Sequence, residues 1–149
     1  MRALLQRVRR GSVSVGDATI AKIGPGLVIL LGVGQGDDEA DAAYLARKTA
    51  ALRIFADDQG KLNLALAQSK GAALVISQFT LYADTSQGNR PGFSAAAEPG
   101  RAEQLYEHYV ALLQAAGVPV QTGVFGAHML VEIENDGPVT IMLESPAPK

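Results

Sequence analysis

The most constraining feature of the sequence is an uninterrupted apolar run from Leu27 to Leu31, which continues through Gly32 to Val33. The breakers Gly24-Pro25-Gly26 precede it, so the run is predicted to be a short strand. A strand without polar positions must be covered on both faces, as in a sheet inside a layered domain. The run is also far shorter than the ~20 apolar residues that a membrane span needs.

The remaining pattern places helices and further strands around this strand. Strands are predicted at 2–9, 12–15, 19–23, 72–78, 129–134 and 139–144, and helices at 38–53 and 101–116. Residues 57–63 have a loop-like composition, and 84–100 form a long loop of the kind that is often functional. We therefore predict an α/β fold, a single layered domain over 1–149 with a mixed β-sheet and two main helices.

The composition excludes several kinds of site. There is no cysteine, which excludes a disulfide framework, a thiolate metal site and a cysteine nucleophile. His108 and His128 are too few and too far apart in sequence for an ordinary zinc site, so no metal or cofactor is expected. No apolar segment follows the first arginines, so we expect no signal peptide, no membrane partner and a cytoplasmic location.

Four arginines, Arg2, Arg7, Arg9 and Arg10, crowd the start of a chain whose net charge is −2. Bulk charge therefore does not indicate nucleic-acid binding. The arginines could line the solvent face of an edge strand and keep it from aggregating, which composition alone favours. A local basic stripe that meets phosphates is the alternative.

Gly32-Val33-Gly34-Gln35-Gly36 follows a strand and precedes a helix, which is the setting of a dinucleotide phosphate loop. The third glycine of that fingerprint would fall on Asp37, and the acids that follow would repel a pyrophosphate. A plain strand-to-helix turn is the better interpretation.

Ser77-Gln78-Phe79-Thr80-Leu81 ends the predicted strand 72–78, where sheets present polar groups and free N–H groups. A nucleophilic Ser77 or Thr80 would need a base. His108 is expected to be solvated, and His128 has no evident acidic partner, so a triad is improbable. Water attack on a carbonyl held by main-chain N–H groups is the chemical alternative, and hydroxyls that only cap a turn are the structural one.

Asn135-Asp136-Gly137-Pro138 separates the last two predicted strands and favours a hairpin turn. Pro138 removes a donor where the second strand should pair, and a cis bond before it is uncommon. From these residues alone, a plain turn is the favoured interpretation.

Together these two segments resemble the paired signature of the D-aminoacyl-tRNA deacylase family, formerly called D-tyrosyl-tRNA deacylases. The resemblance covers nearly the whole chain. Other segments in the family's order are Gln6-Arg7-Val8, Gly60-Lys61-Leu62-Asn63, Tyr82-Ala83-Asp84, Gly88-Asn89-Arg90-Pro91 and Thr122-Gly123-Val124-Phe125-Gly126-Ala127.

The resemblance implies a homodimer that hydrolyses the ester of D-aminoacyl-tRNA, and of glycyl-tRNA too, without a cofactor. It implies that Gly137-Pro138 is cis and enters the partner's active site, where its carbonyls exclude L side chains. Arg7 would fix the partner's Gly-Pro loop, and N–H groups near Phe79 and Thr80 would hold the substrate carbonyl. The implied catalytic residues are Ser77, Gln78, Phe79 and Thr80, and the implied substrate-binding residues are Arg7, Ala127, Met129, Gly137 and Pro138.

The sequence departs from the family pattern at Leu62, Gly92 and His128, where Met, Ser and Asp are usual. Two other functions stay open at this point. One is a non-catalytic tRNA-binding module, suggested by the arginine-rich start and the missing base. The other is an esterase that uses Thr80 or Ser77 with His128.

Overall fold

A computed structural model describes residues 1–146 of the chain. A short 3-10 turn, Phe79–Tyr82, lies between the sixth strand and the second helix. The helices and strands are β1 (Arg2–Val15), β2 (Ala18–Ile23), β3 (Gly26–Gly32), α1 (Glu39–Ala51), β4 (Phe55–Ala56), β5 (Leu62–Leu64), β6 (Ala72–Ser77), α2 (Pro99–Ala115), β7 (Val120–Thr122) and β8 (Leu130–Glu144).

The main sheet is mixed, which confirms the predicted fold class. Its strand order is β2-β1-β3-β6-β7, with β8 paired to β1 off this path. β1 is antiparallel to β2, β3 and β8, whereas β3, β6 and β7 are parallel. The sheet curls towards a barrel, so that β2 and β7, at opposite ends of the strand order, meet. The Lys22 N–H of β2 donates to Gln121 Oε1 of β7 at 3.4 Å.

The apolar strand β3 is covered on both faces, as the sequence predicts. Leu27, Ile29 and Leu31 belong to the core under the helices, together with Leu45, Leu105 and Tyr109. Val28 points into the curled sheet and joins Val8, Val13, Leu74 and Ile76 in a second apolar cluster. Two cores on opposite faces of one strand explain why the run has no polar position.

The helices begin and end for identifiable reasons. Asp38 caps α1, with its carboxylate accepting from the N–H groups of Ala40 and Asp41, and the Asp41 side chain accepts in return from the Asp38 N–H. Pro99 starts α2 at a position that needs no donor. The hydroxyls of Thr49 and Tyr109 lie 2.8 Å apart and join the helices inside the core. No helix within residues 1–146 is long and apolar enough to cross a membrane.

Each helix buries one face. In α1 this face carries Ala42, Leu45, Ala46 and Thr49. In α2 it carries Ala102, Leu105, Tyr106, Tyr109 and Leu113, whereas Leu112 and Ala116 lie outside it. The Tyr106 hydroxyl donates to the carbonyl of Val75 at 2.8 Å.

Several predicted boundaries are wrong. Residues 2–9 and 12–15 form the single strand β1, which is bonded along both edges and is therefore not an edge strand. The segment predicted as loop 57–63 contains the start of β5, which pairs with β4. β7 was not predicted.

The predicted hairpin at Asn135–Pro138 is also wrong. Residues on both sides of this segment belong to β8, and both halves pair with β1 rather than with each other. The partners run from Arg2↔Glu144 to Gln6↔Thr140, and resume at Val8↔Asn135. The residues between Asn135 and Thr140 therefore bulge out of a continuous strand opposite Arg7, and no reversal of the chain is needed.

Candidate active site

A cavity of about 560 Å³ opens where β6 ends. Residues from the end of β6, the segment before α2 and the segment before β8 form its walls. The lining residues are Val33, Ile76, Ser77, Gln78, Phe79, Phe93, Ala96, Ala97, Pro99, Ala102, Phe125, Gly126, Ala127, His128, Met129 and Val131. This wall is mostly apolar, and His128 is the only titratable side chain in it.

A backbone turn borders the cavity. The Gln78 N–H still donates to the Leu31 carbonyl at 2.8 Å, so the ladder of β6 ends there. The 3-10 turn then closes through the N–H of Leu81 to Gln78 and that of Ala83 to Thr80. Because a helical turn leaves its first N–H groups without internal partners, those of Phe79 and Thr80 are available, and no acceptor within residues 1–146 takes them.

The side-chain hydroxyls at this turn are not arranged as a nucleophile. The Gln78 amide donates to the hydroxyl oxygen of Thr80. Ser77 is half-buried at the end of β6, and no hydrogen bond within residues 1–146 links it or Thr80 to His128. Nor do three His, Asp or Glu side chains of these residues cluster as a metal site requires. The donors that the turn offers to a carbonyl are therefore main-chain groups.

Two phenylalanines flank the mouth of the cavity. Phe79 is 56% exposed, and its ring meets Phe93 edge to face with centroids 5.0 Å apart. Farther along the wall, the ring centroid of Phe125 lies 6.1 Å from that of Tyr106. Burial raises the pKa of Tyr106 to about 12. The wall thus presents flat apolar surfaces to a ligand.

The second predicted segment, the bulge at Asp136–Val139, has a defined shape. The Gly137–Pro138 peptide bond is cis, as the resemblance implies and contrary to the plain turn favoured by the residues alone. Asn135 closes the bulge, accepting from the Val139 N–H at 2.8 Å and donating to Thr140 Oγ1 at 3.0 Å. Gly137 has φ +138°, a conformation that side chains disfavour.

Arg7 holds this bulge within the same chain. Its Nε donates to the Asp136 carbonyl at 3.0 Å and its Nη1 to the Ile54 carbonyl at 2.8 Å. The resemblance implied that Arg7 fixes the loop of a partner, whereas the structure shows it fixing its own. A Cβ on Gly137 would come within 3.2 Å of Arg7 Nη2, so arginine and glycine fit each other closely.

The cavity brings together one part of the predicted site and not the other. Ser77, Gln78, Phe79, Ala127 and Met129 line it, and Thr80 follows directly on the exposed turn. The other predicted residues lie elsewhere: Gly137 and Pro138 are exposed near the middle of β8, and Arg7 faces them from β1.

The arginines at the start of β1 do not form a free basic stripe. Arg2 donates to the Leu81 carbonyl, and Arg10 makes two bonds to Glu134 Oε2 at 2.7 and 3.0 Å. Arg9 lies 3.8 Å from the Asp136 carboxylate. Arg7 is bonded to the bulge, so all four arginines contact groups of their own chain.

Sequence reasoning missed several wall residues, Phe93 and Phe125 foremost. Phe125 lies within the segment Thr122–Ala127, and Phe93 follows Gly88–Pro91 by two residues. Their places in or near segments that the resemblance had put in order were the available signal. A larger open cavity of about 750 Å³ lies elsewhere, around Arg10, Lys22 and Glu132. None of the predicted site residues lines it, so we place the candidate site at β6.

The family model described as D-Tyr-tRNA(Tyr) deacylase matches residues 4–144. The chain belongs to this family. It is 58% identical over 145 residues to a D-aminoacyl-tRNA deacylase of Desulforamulus reducens, covering 97% of both chains. It is 57% identical to one of Cereibacter sphaeroides, covering 97% of this chain and all of that one.

Solved structures share the fold. One titled c-Myc DNA Unwinding Element Binding Protein superposes with a TM-score of 0.92 at 40% identity, covering 99% of this chain and 100% of that chain. Another, titled as a probable eukaryotic D-amino acid tRNA deacylase, has a TM-score of 0.80 at 18% identity and covers 96% and 98%. The second likeness concerns the fold alone.

Proposed function

We propose that this protein hydrolyses the ester bond between a D-amino acid and the terminal ribose of tRNA, releasing the free amino acid. Membership of the family and the names of its relatives support the reaction. The observation that carries it is the turn at Phe79–Thr80, which offers two free main-chain donors at the edge of an apolar cavity.

The chemistry needs no side-chain nucleophile. The N–H groups of Phe79 and Thr80 would hold the carbonyl oxygen of the ester as negative charge develops there, which typically lowers a barrier by about 3 to 4 kcal/mol per donor. Water adds to the carbonyl carbon, the bond to the ribose oxygen breaks, and that oxygen takes a proton. The 2′-hydroxyl of the tRNA is well placed to assist the proton transfer, being on the substrate itself.

The Gly137-Pro138 bulge would complete the site of a second copy of the chain. Along an extended strand, Val131 in the cavity wall and Gly137 are about 20 Å apart. The bulge therefore cannot fill the cavity of its own chain while β8 remains paired to β1. A homodimer resolves this separation, since each chain would lend its bulge to the other.

The surface of β8 suits such a dimer. One of its edges pairs with β1, and no strand within residues 1–146 pairs with the other. A strand of 15 residues with Leu130 and Met142 exposed is an edge that proteins usually cover. A two-fold axis near Glu134 would set β8 against its copy and bring Gly137 of each chain to Val131 of the other.

Selectivity would arise by exclusion. Main-chain carbonyls of Gly137 and Pro138 would occupy the space that an L side chain requires, while a D side chain points into the apolar cavity. Ala127, His128 and Met129 in the wall would meet that side chain. Glycine offers nothing to exclude, so glycyl-tRNA would be hydrolysed as well. A tRNA substrate supports a cytoplasmic location, and the proposed reaction needs no cofactor.

The test is the release of tyrosine from D-Tyr-tRNA and L-Tyr-tRNA, each with a chelator present. We expect rapid release from the D ester and little from the L ester. Equal rates, or loss of activity with the chelator, would overturn the proposal. Salt-sensitive tRNA binding without turnover would instead support a non-catalytic binding module, and a trapped acyl-enzyme on Thr80 or Ser77 would support the esterase.

A further inference from the structure

Arg2 contacts the turn Phe79–Tyr82 at two points. Its Nη1 donates to the Leu81 carbonyl at 2.8 Å, and its guanidinium carbon lies 4.5 Å from the centroid of the Tyr82 ring. Glu144 on β8 lies 3.7 Å from the Arg2 Nε and steadies the guanidinium from the other side. A charged donor and a cation–π contact thus fix the end of the turn.

Asp37 holds the opposite end of the same tyrosine. Its Oδ2 accepts from the Tyr82 hydroxyl at 3.5 Å, from the Gly34 N–H at 2.6 Å, and pairs with the Met1 ammonium at 2.8 Å. The Asp37 side chain is 16% exposed. A half-buried carboxylate with three donors has little freedom, so the Tyr82 ring is held at both its hydroxyl and its face.

The glycines before Asp37 leave room for this ring. A Cβ on Gly34 would lie 2.8 Å from two ring carbons of Tyr82, and one on Gly32 would lie 3.1 Å from the Gln78 carbonyl. Neither glycine has a positive φ, so it is close approach, rather than backbone conformation, that excludes a side chain at Gly34 and crowds one at Gly32. The segment Gly32–Asp37, which is unsuited to a dinucleotide, is therefore shaped to receive the turn.

We propose that Arg2, Gly34 and Asp37 are positioning residues for the deacylation. Acting through Tyr82, they set the position of the Phe79 and Thr80 N–H groups against the substrate carbonyl. The inference rests on the proposed function, because it concerns the same two donors. A misplacement of about 1 Å can cost roughly 100-fold in rate, so a turn supported only by its own two hydrogen bonds would not suffice.

The test compares Arg2→Met and Gly34→Ala with matched controls. The chain supplies a second arginine over a tyrosine, Arg47 at 5.5 Å from Tyr44, and a glycine whose added Cβ meets nothing within 4 Å, Gly24. Steady-state rates on D-Tyr-tRNA give kcat and KM. Hydrogen exchange of the Leu81 and Ala83 amides, whose hydrogen bonds close the turn, reports its stability without requiring activity.

In both test variants we expect kcat to fall roughly ten-fold with KM within about two-fold, because the lost interaction acts in the transition state. Exchange of the Leu81 and Ala83 amides should accelerate while that of the α1 amides stays unchanged. Arg2→Lys, which keeps the charge, should recover part of kcat. Arg47→Met and Gly24→Ala should match the wild type.

Unchanged kcat and exchange in Arg2→Met would overturn the inference, as would an equal loss in Arg47→Met or a rise in KM alone. If Gly34→Ala fails to fold, the comparison of Arg2→Met with Arg2→Lys still tests whether the Arg2 contact with the turn affects kcat. If the wild-type protein does not hydrolyse D-Tyr-tRNA, the proposed function is wrong. The exchange measurement still tests separately whether Arg2 stabilises the turn.

Discussion

Asn135 closes the bulge that we assign to chiral selection, so Asn135→Ala should damage both stability and selectivity. The side chain makes three hydrogen bonds: from the Val139 N–H at 2.8 Å, to Thr140 Oγ1 at 3.0 Å and to the Val139 carbonyl at 3.3 Å. Each is worth about 0.5–1.5 kcal/mol net. Because Asn135 is half-buried, water replaces some of them, and we expect a loss of about 1–2 kcal/mol in the free energy of unfolding.

The assay has two parts. Urea unfolding measures stability, and the ratio of kcat/KM for D-Tyr-tRNA to that for L-Tyr-tRNA measures selectivity. We expect this ratio to fall at least about ten-fold, since ~1.4 kcal/mol of lost discrimination corresponds to that factor. Asn63→Ala, which removes an exposed bond to Arg53, is the control and should change neither. A full stability loss with an unchanged ratio would refute the role of the bulge in selection.

Three further results are expected. Thr80→Ala should keep activity within about ten-fold of the wild type, because the main chain polarises the ester; a loss of about 10⁴-fold or more in a quenched-flow assay would indicate a nucleophile. Tyr109→Phe should lower the free energy of unfolding by about 1–2 kcal/mol in urea, since Thr49 loses a buried partner at 2.8 Å. Burial raises the pKa of Tyr106 to about 12 from an ordinary ~10, so the folded protein keeps the phenol proton of Tyr106 to higher pH than the unfolded chain does. The contribution of Tyr106 to the free energy of unfolding should therefore be full below pH ~10 and decline towards pH 12. In an alkaline unfolding series, Tyr106→Phe should make that decline shallower.

The apolar patterning predicted much of the fold, and its failures have physical causes. β3 and the buried faces of both helices follow from periodicity that packing preserves, as at Leu27 and Leu45. The hairpin prediction failed at Asn135, because turn residues also suit a bulge when a long partner strand such as β1 is present. β7 was missed because its three residues carry too little pattern.

The candidate site was predicted less completely. Ser77 and Phe79 could be assigned because a strand end exposes backbone donors, whereas Phe93 and Phe125 reach the cavity only through tertiary packing. The position of Gly137 on β8 and of Arg7 opposite it on β1, both away from the cavity, could not be read from sequence separation alone. The cis bond at Gly137–Pro138 came from the resemblance, since local preference favours trans.

The central claim is that a bulge from one chain sets the selectivity of the other chain's cavity. It is tested most directly by mixing Pro138→Ala, whose cavity is intact, with a large excess of Ala127→Trp, whose cavity is filled but whose bulge is intact. The quantity measured is L-Tyr-tRNA hydrolysis per Pro138→Ala subunit after the subunits have exchanged. The account predicts that this hydrolysis is suppressed while D-Tyr-tRNA hydrolysis persists; L-Tyr-tRNA hydrolysis that is unchanged by the excess would contradict it.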